Sequence, residues 1–239
     1  MQIHIARWAL LGVLLLGTAG MAQADTLVGV LPTTPGGTNY QAYYDSTTNL
    51  TWLANANAAV GSSYDTKLPG SGLMTWSQAN TWASGLDING VTGWTLPTTM
   101  QPDSTCTSQY QNISTGYNCT GSQMGNLFYN ALGGTIGNPI TTNHNSNYND
   151  FSNVQNQYYW SATEYASSAT GAWGFDFSGG FQVYFENANS WHYDAWAVHS
   201  GDVGAPPSVP EPGALSLMLM GLALAGIAAR RRLVLRSFE

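Results

Sequence analysis

The sequence predicts an α+β fold with two helices and a mostly antiparallel sheet, and three observations carry that prediction. Two segments place apolar residues at helical spacing, the later segments alternate bulky with small or polar residues, and turns rich in Gly, Ser and Asn separate them. Early strands, then two helices, then a meander is an α+β order.

The elements follow along four parts of the 239-residue chain: a signal segment at 1–24, one domain at 25–202, a linker at 203–213 and an anchor with a basic tail at 214–239. The first part carries Arg7, an apolar stretch from Trp8 and small residues closing on Ala22-Gln23-Ala24. That is the layout of a secretory signal helix, so signal peptidase is an expected partner and the mature chain starts near Asp25.

In the domain, "YQAYYDSTTNLTWLANAN" reads as two strands around a Ser/Thr/Asn turn. "TWSQANTWASGL" reads as a helix with Thr75 and Gln78 as its capping box, one face formed by Trp76, Ala79, Ala83 and Leu86, and an end weakened by Gly85. "GWTLPTT" reads as a short strand broken by Pro97. A second helix is predicted over 122–132, with Met124, Leu127, Phe128, Ala131 and Leu132 on one face and Gly133 as its C-cap. "YYWSATEY", "GAWGFDF", "FQVYFEN" and "YDAWAVHS" then read as strands.

Beyond a Gly/Pro/Ser linker, residues 214–229 are uncharged. As a helix these residues reach about 24 Å, slightly under the ~30 Å hydrocarbon thickness, and Arg230, Arg231 and Arg232 snorkel to close the gap. The arginines place this end in the cytoplasm, so the domain faces the far side of the inner membrane. Val209-Pro210-Glu211-Pro212 precedes that helix. Proline lacks an N–H and fixes φ, which keeps such a motif extended and accessible at the membrane surface.

Only Lys67 is basic between Asp25 and Glu211, against twelve acidic residues in the same span. This balance excludes nucleic acid as a partner. Charge of either sign is sparse, while Asn, Thr, Ser, Gly and Tyr are abundant, so the surface bonds through amides and hydroxyls, a character suited to neutral sugars. Eight of the nine tryptophans fall in this part, which argues for a packed core over disorder. The two cysteines, Cys106 and Cys119, have twelve residues between them in an exported segment and read as a disulfide stapling a surface excursion. Closing such a loop contributes about 3 kcal/mol.

Two resemblances follow from these motifs. Val209-Pro210-Glu211-Pro212, the apolar helix and the arginine cluster together resemble the PEP-CTERM sorting signal of Gram-negative bacteria. The resemblance implies recognition by an exosortase, cleavage near the Pro-Glu-Pro and delivery from a transient anchor to the cell surface or an extracellular polysaccharide matrix. The second rests on six motifs in register. They are Asp45 with Leu50-Thr51-Trp52, Thr75-Trp76 with Ala79, Gly93-Trp94-Thr95-Leu96-Pro97-Thr98, Tyr159-Trp160-Ser161-Ala162-Thr163, Ala172-Trp173, and Ala195-Trp196-Ala197-Val198. These resemble the Lcl C-terminal domain family, which implies a C-type-lectin-like fold and, by its glycan-binding namesake, adhesion. Thr95 and His199 stand where basic residues are common in that family, which weakens any inherited preference for acidic glycans.

The chemistry-bearing residues are sparse. Gln101-Pro102-Asp103 and Tyr148-Asn149-Asp150 echo calcium-dependent lectins, yet about 45 residues separate them, so no metal and no cofactor is assigned. His144, His192 and His199 form no H-E-x-x-H, and no G-x-S-x-G is present. Glu164 and Glu186 are the available carboxylate pair for a glycosidase, and nothing in the sequence brings them together. Trp191, His192 and Tyr193 are the candidate glycan-binding residues, because aromatic rings stack on sugar faces and Gly/Asn-rich neighbours put them on a loop, whereas Trp196 and Trp160 read as core. Asn49, Asn112 and Asn118 each begin an N-x-S/T sequon. The expectation is a non-catalytic adhesion or glycan-binding protein of the biofilm matrix; a secreted polysaccharide-modifying enzyme with the same sorting signal is the alternative.

Overall fold

Alternating aromatic and aliphatic residues build the first sheet in the computed structural model, which describes residues 26–205. β1 (Leu27–Pro32) pairs antiparallel with β2 (Tyr40–Asp45), and β2 pairs with β3 (Leu50–Leu53). The β2–β3 turn is closed by Asp45, whose carboxylate accepts from the Thr47 N–H at 2.8 Å and the Thr48 hydroxyl at 2.7 Å. β1 is absent from the sequence reading because "LVGVLP" contains Gly29 and Pro32. Gly29 is needed there, since a Cβ would sit 2.1 Å from the Tyr40 ring.

α1 (Trp76–Ser84) starts with the expected capping box: the Thr75 N–H donates to the Gln78 side chain at 2.9 Å, and the Gln78 N–H donates back to the Thr75 hydroxyl. Its buried face is Ala79, Trp82 and Ala83, turned toward Trp82 from the face expected, and Trp76 is half-buried with its indole N–H donating to the Ser161 carbonyl at 2.7 Å. "GWTLPTT" does not become a strand. It makes a single bridge, Thr95 to Val198, before Pro97 diverts its backbone to bond Ala162.

Cys106 and Cys119 are bonded, as expected, and both are buried at the base of the excursion that they staple. Between them β4 (Ser108–Tyr110) and β5 (Ile113–Thr115) form a hairpin with an exposed tip. Its base docks through reciprocal backbone bonds between Gly116 and Gln182. The helix expected over 122–132 is a short α2 (Gln123–Asn126) running into a π-helical turn, Leu127–Ala131. The wider turn, marked by the Leu132 N–H donating to the Leu127 carbonyl, keeps Leu127, Phe128 and Ala131 buried until Gly133, at φ 71°, ends it.

β6 (Tyr158–Glu164), β7 (Ala172–Asp176) and β8 (Phe181–Phe185) form the predicted antiparallel meander. The last expected strand shrinks to β9 (Val198–Ser200), which closes the first sheet against β3 in the order β1-β2-β3-β9. Tyr193 and Asp194 before it make only isolated bridges, to Met74 and Tyr159. Trp196 fills the space between the sheets, in ring contact with Trp52, Phe151, Tyr159 and Phe177, and its indole N–H is satisfied by the Leu53 carbonyl at 2.8 Å.

Among the described residues no helix is long and apolar enough to cross a membrane. The signal segment 1–24 with Ala22 and Ala24, the Val209-Pro210-Glu211-Pro212 motif, the expected span 214–229 and Arg230, Arg231 and Arg232 lie outside the described residues.

Candidate functional site

Trp191 is 53 % exposed, the only tryptophan among the described residues so presented. The Asn-rich turn after β8 places it there: a 3-10 turn, Ala188–Ser190, is pinned by the buried Ala188, whose N–H donates to the Thr170 carbonyl at 2.9 Å. Asn189 accepts from the Ser77 N–H at the start of α1. Trp191 therefore sits on a held loop rather than a loose one.

Beside it, the Tyr193 ring lies nearly parallel, 6.3 Å away at 6°. Tyr193 in turn packs on Phe185, Trp160 and Tyr158 at 4.7, 4.9 and 5.0 Å. An exposed ring thus continues into a supported aromatic cluster. Burial and the nearby Tyr158 push the Tyr193 hydroxyl up to about 12, so it remains a hydrogen-bond donor at any physiological pH. His192 is held below its ordinary value, first by desolvation and then by Lys67, which favours the neutral ring near neutrality. The structure brings Trp191 and Tyr193 together. Tyr158 and Phe185, which support them, were not singled out in the sequence, although the alternation in "YYWSATEY" already puts Tyr158 on one face with Trp160.

The other candidate residues are occupied elsewhere. Both ends of the Gln101 amide bond the Ser114 backbone, and Asp103 is buried, accepting from the Thr105 N–H at 3.0 Å and the Ser122 hydroxyl at 3.4 Å. Asp103 also lies within 4.8 Å of both cysteine sulfurs, which are spent in the disulfide. Asp150 ends a 3-10 turn, Ser146–Asp150, near Tyr43 of the first sheet, and burial raises its carboxyl. Glu164 closes β6, paired with Ala172, while Glu186 lies in the turn just past β8.

A second feature escaped the sequence reading altogether. A groove of about 670 Å³ lies between the loop after β3 and the loop before β6, walled by side-chain amides from positions about a hundred residues apart. Behind one wall lies Asp194, fully buried, with one oxygen accepting from Gln157 and the other unpartnered among the described residues. Desolvation raises this carboxyl to about 7.

With this geometry in view, comparison with known families is decisive for the domain. The family model described as the Lcl C-terminal domain matches residues 41–199, two thirds of the chain. The chain belongs to the Lcl C-terminal domain family. The match spans β2 to β9 and so contains the whole aromatic cluster. Residues 208–232 match the PEP-CTERM protein-sorting motif, which implies an exosortase as processing partner and export to the cell surface through a transient membrane anchor. No curated protein and no solved structure matches the chain.

Proposed function

We propose that this Lcl C-terminal domain is a non-catalytic adhesion module that binds polysaccharide of the extracellular biofilm matrix, using Trp191 and Tyr193 as its sugar-stacking platform and His192 as a neutral neighbour. The carrying observation is an exposed tryptophan that continues into a supported aromatic cluster, on a protein whose sorting motif directs it outside the cell. Exposing a large ring costs hydration unless a partner covers it, and the apolar face of a sugar is a partner found at that address. A C-type-lectin-like fold is part of the same proposal; it is supported by the antiparallel sheets and by the return of the last strand to the first sheet.

The test is retention of the full-length protein on the host's purified exopolysaccharide. Trp191→Ala is expected to weaken retention about tenfold, the loss of one stacking contact, while Trp191→Phe keeps most of it. Equal retention of wild type and Trp191→Ala would sink the proposal.

A further inference from the structure

The groove between the two loops has an internal logic, because its own hydrogen bonds fix which way each amide points. Asn57 donates its Nδ2 to the Ser71 carbonyl at 2.9 Å, Gln155 its Nε2 to the Asn153 carbonyl at 2.8 Å, and Gln157 its Nε2 to the Asp194 carboxylate. A backbone carbonyl accepts only, so the NH₂ ends of Asn57 and Gln155 are the ends engaged, and Gln157 turns its NH₂ to Asp194 when that carboxyl is ionised. Asn55 is fixed the other way: its Oδ1 accepts from the Asn57 N–H at 3.0 Å and from the Asn153 Nδ2 at 3.1 Å.

What remains for a ligand is therefore defined. Three side-chain carbonyls, on Asn153, Gln155 and Gln157, are left over, together with the NH₂ of Asn55. The Asn57 Oδ1 is buried beneath Gly72, out of a ligand's reach, so Asn57 serves the wall rather than the contact surface. No charged side chain lines the groove. The loops are themselves braced. Asp65 draws in the Gly61, Gly70 and Gly72 N–H groups on one side, and the Ser152 N–H bonds the Ala54 carbonyl on the other.

We infer that this groove is a second binding site, for a neutral polyhydroxylated ligand such as a run of uncharged sugar residues, whose hydroxyls donate to the three amide carbonyls. Acceptors without a carboxylate suit hydroxyl donors and repel anions, and a divalent cation would want the charged oxygens that the lining lacks. The class of ligand rests on the reading of the domain as a glycan binder; the site itself does not use the aromatic platform. The two sites adjoin along the chain, since Gln157 lines the groove while the next residue, Tyr158, opens β6 and joins the aromatic cluster.

One titration separates the two sites. The ¹H–¹⁵N spectrum of the full-length protein in detergent micelles is followed while cellohexaose, maltohexaose or mannohexaose is added, with hexagalacturonic acid as the anionic comparison. The side-chain amide signals of Asn55, Asn153, Gln155 and Gln157 are expected to shift and saturate with at least one neutral hexaose and to stay still with the acid. Val60→Trp fills the mouth from a rim residue that is 44 % exposed, and is expected to weaken that saturation at least tenfold; Gln155→Ala gives the same direction without added bulk. If the Trp191 indole signal moves and the amides do not, the groove inference fails and the platform stands. Amides that move while the indole stays still support the groove and remove the platform. Silence of both with all three hexaoses, equal response to the acid, or saturation unchanged in both variants overturns the groove.

Discussion

Asp65 and Asp194 are the same side chain, both covered by protein, and their carboxyls are driven in opposite directions. Asp65 sits at the centre of its own loop, where the Gly61, Gly70 and Gly72 N–H groups and the Ser71 hydroxyl converge on it. Those donors, the Gly61 N–H foremost, hold it below its ordinary value against a smaller desolvation effect. It is 6 % exposed, yet the cover is this thin loop rather than depth in the molecule. Asp194 is deep, between Tyr159 and Gln157, and meets a single side-chain donor. Burial alone therefore does not decide the charge of a carboxylate here; the number of N–H groups aimed at it does.

The contrast can be broken from either side. The largest effect belongs to Asp194→Asn. An acid raised from its ordinary range to about 7 withdraws stability as pH climbs from about 4 to 7, because the unfolded chain releases its proton first. Removing the charge is expected to stabilise the protein at pH 8 by at most about 4 kcal/mol, and hardly at all at pH 4. Thermal melts at the two pH values check this; an equal shift at both would mean that the carboxyl is not the titrating group.

Asp65→Asn is the smaller effect and has the opposite sign. A lowered carboxyl contributes stability that is complete above its ordinary value near 4 and lost as pH falls through the folded value. The variant is expected to melt below wild type at pH 7 and to converge with it in strong acid. A gap that persists unchanged at pH 2 would assign the loss to loop geometry instead of charge. Smallest is Gln157→Leu, which deprives Asp194 of its one side-chain donor among the described residues and is expected to raise that carboxyl further, read by carboxyl ¹³C titration. A fall would show that some other group sets it.

How much of this was legible depended on the distance over which each signal acts. The capping box of α1, Gly133 and the β6–β8 meander were readable because each rests on residues a few positions apart. Trp191 was separable from Trp196 by neighbours alone, Asn and Ser on one side against Ala and Val on the other. Asp65 carried a local signal that passed unused: three glycines, at 61, 70 and 72, all with positive φ, ring it closely enough to offer N–H groups. The amide groove had none. Asn55 meets Asn153 across 98 residues, and no periodicity announces that meeting. β1 was hidden for a different reason, since its glycine serves the Tyr40 ring rather than a strand pattern.

β9 is the last element before the sorting segment, and it holds the first sheet by three registered pairs, Leu50 with Ser200, Thr51 with His199 and Trp52 with Val198. Just beyond, the Gly201 N–H donates to the Asn49 carbonyl and the Gly201 carbonyl accepts from the Thr51 hydroxyl. Any tension applied through the C-terminal end while the chain is tethered there enters the domain at this clamp. Pull along the strand axis loads these bonds in shear, together, whereas pull across it peels them one by one, so the mechanical strength of the tethered protein depends on the angle at which it is drawn.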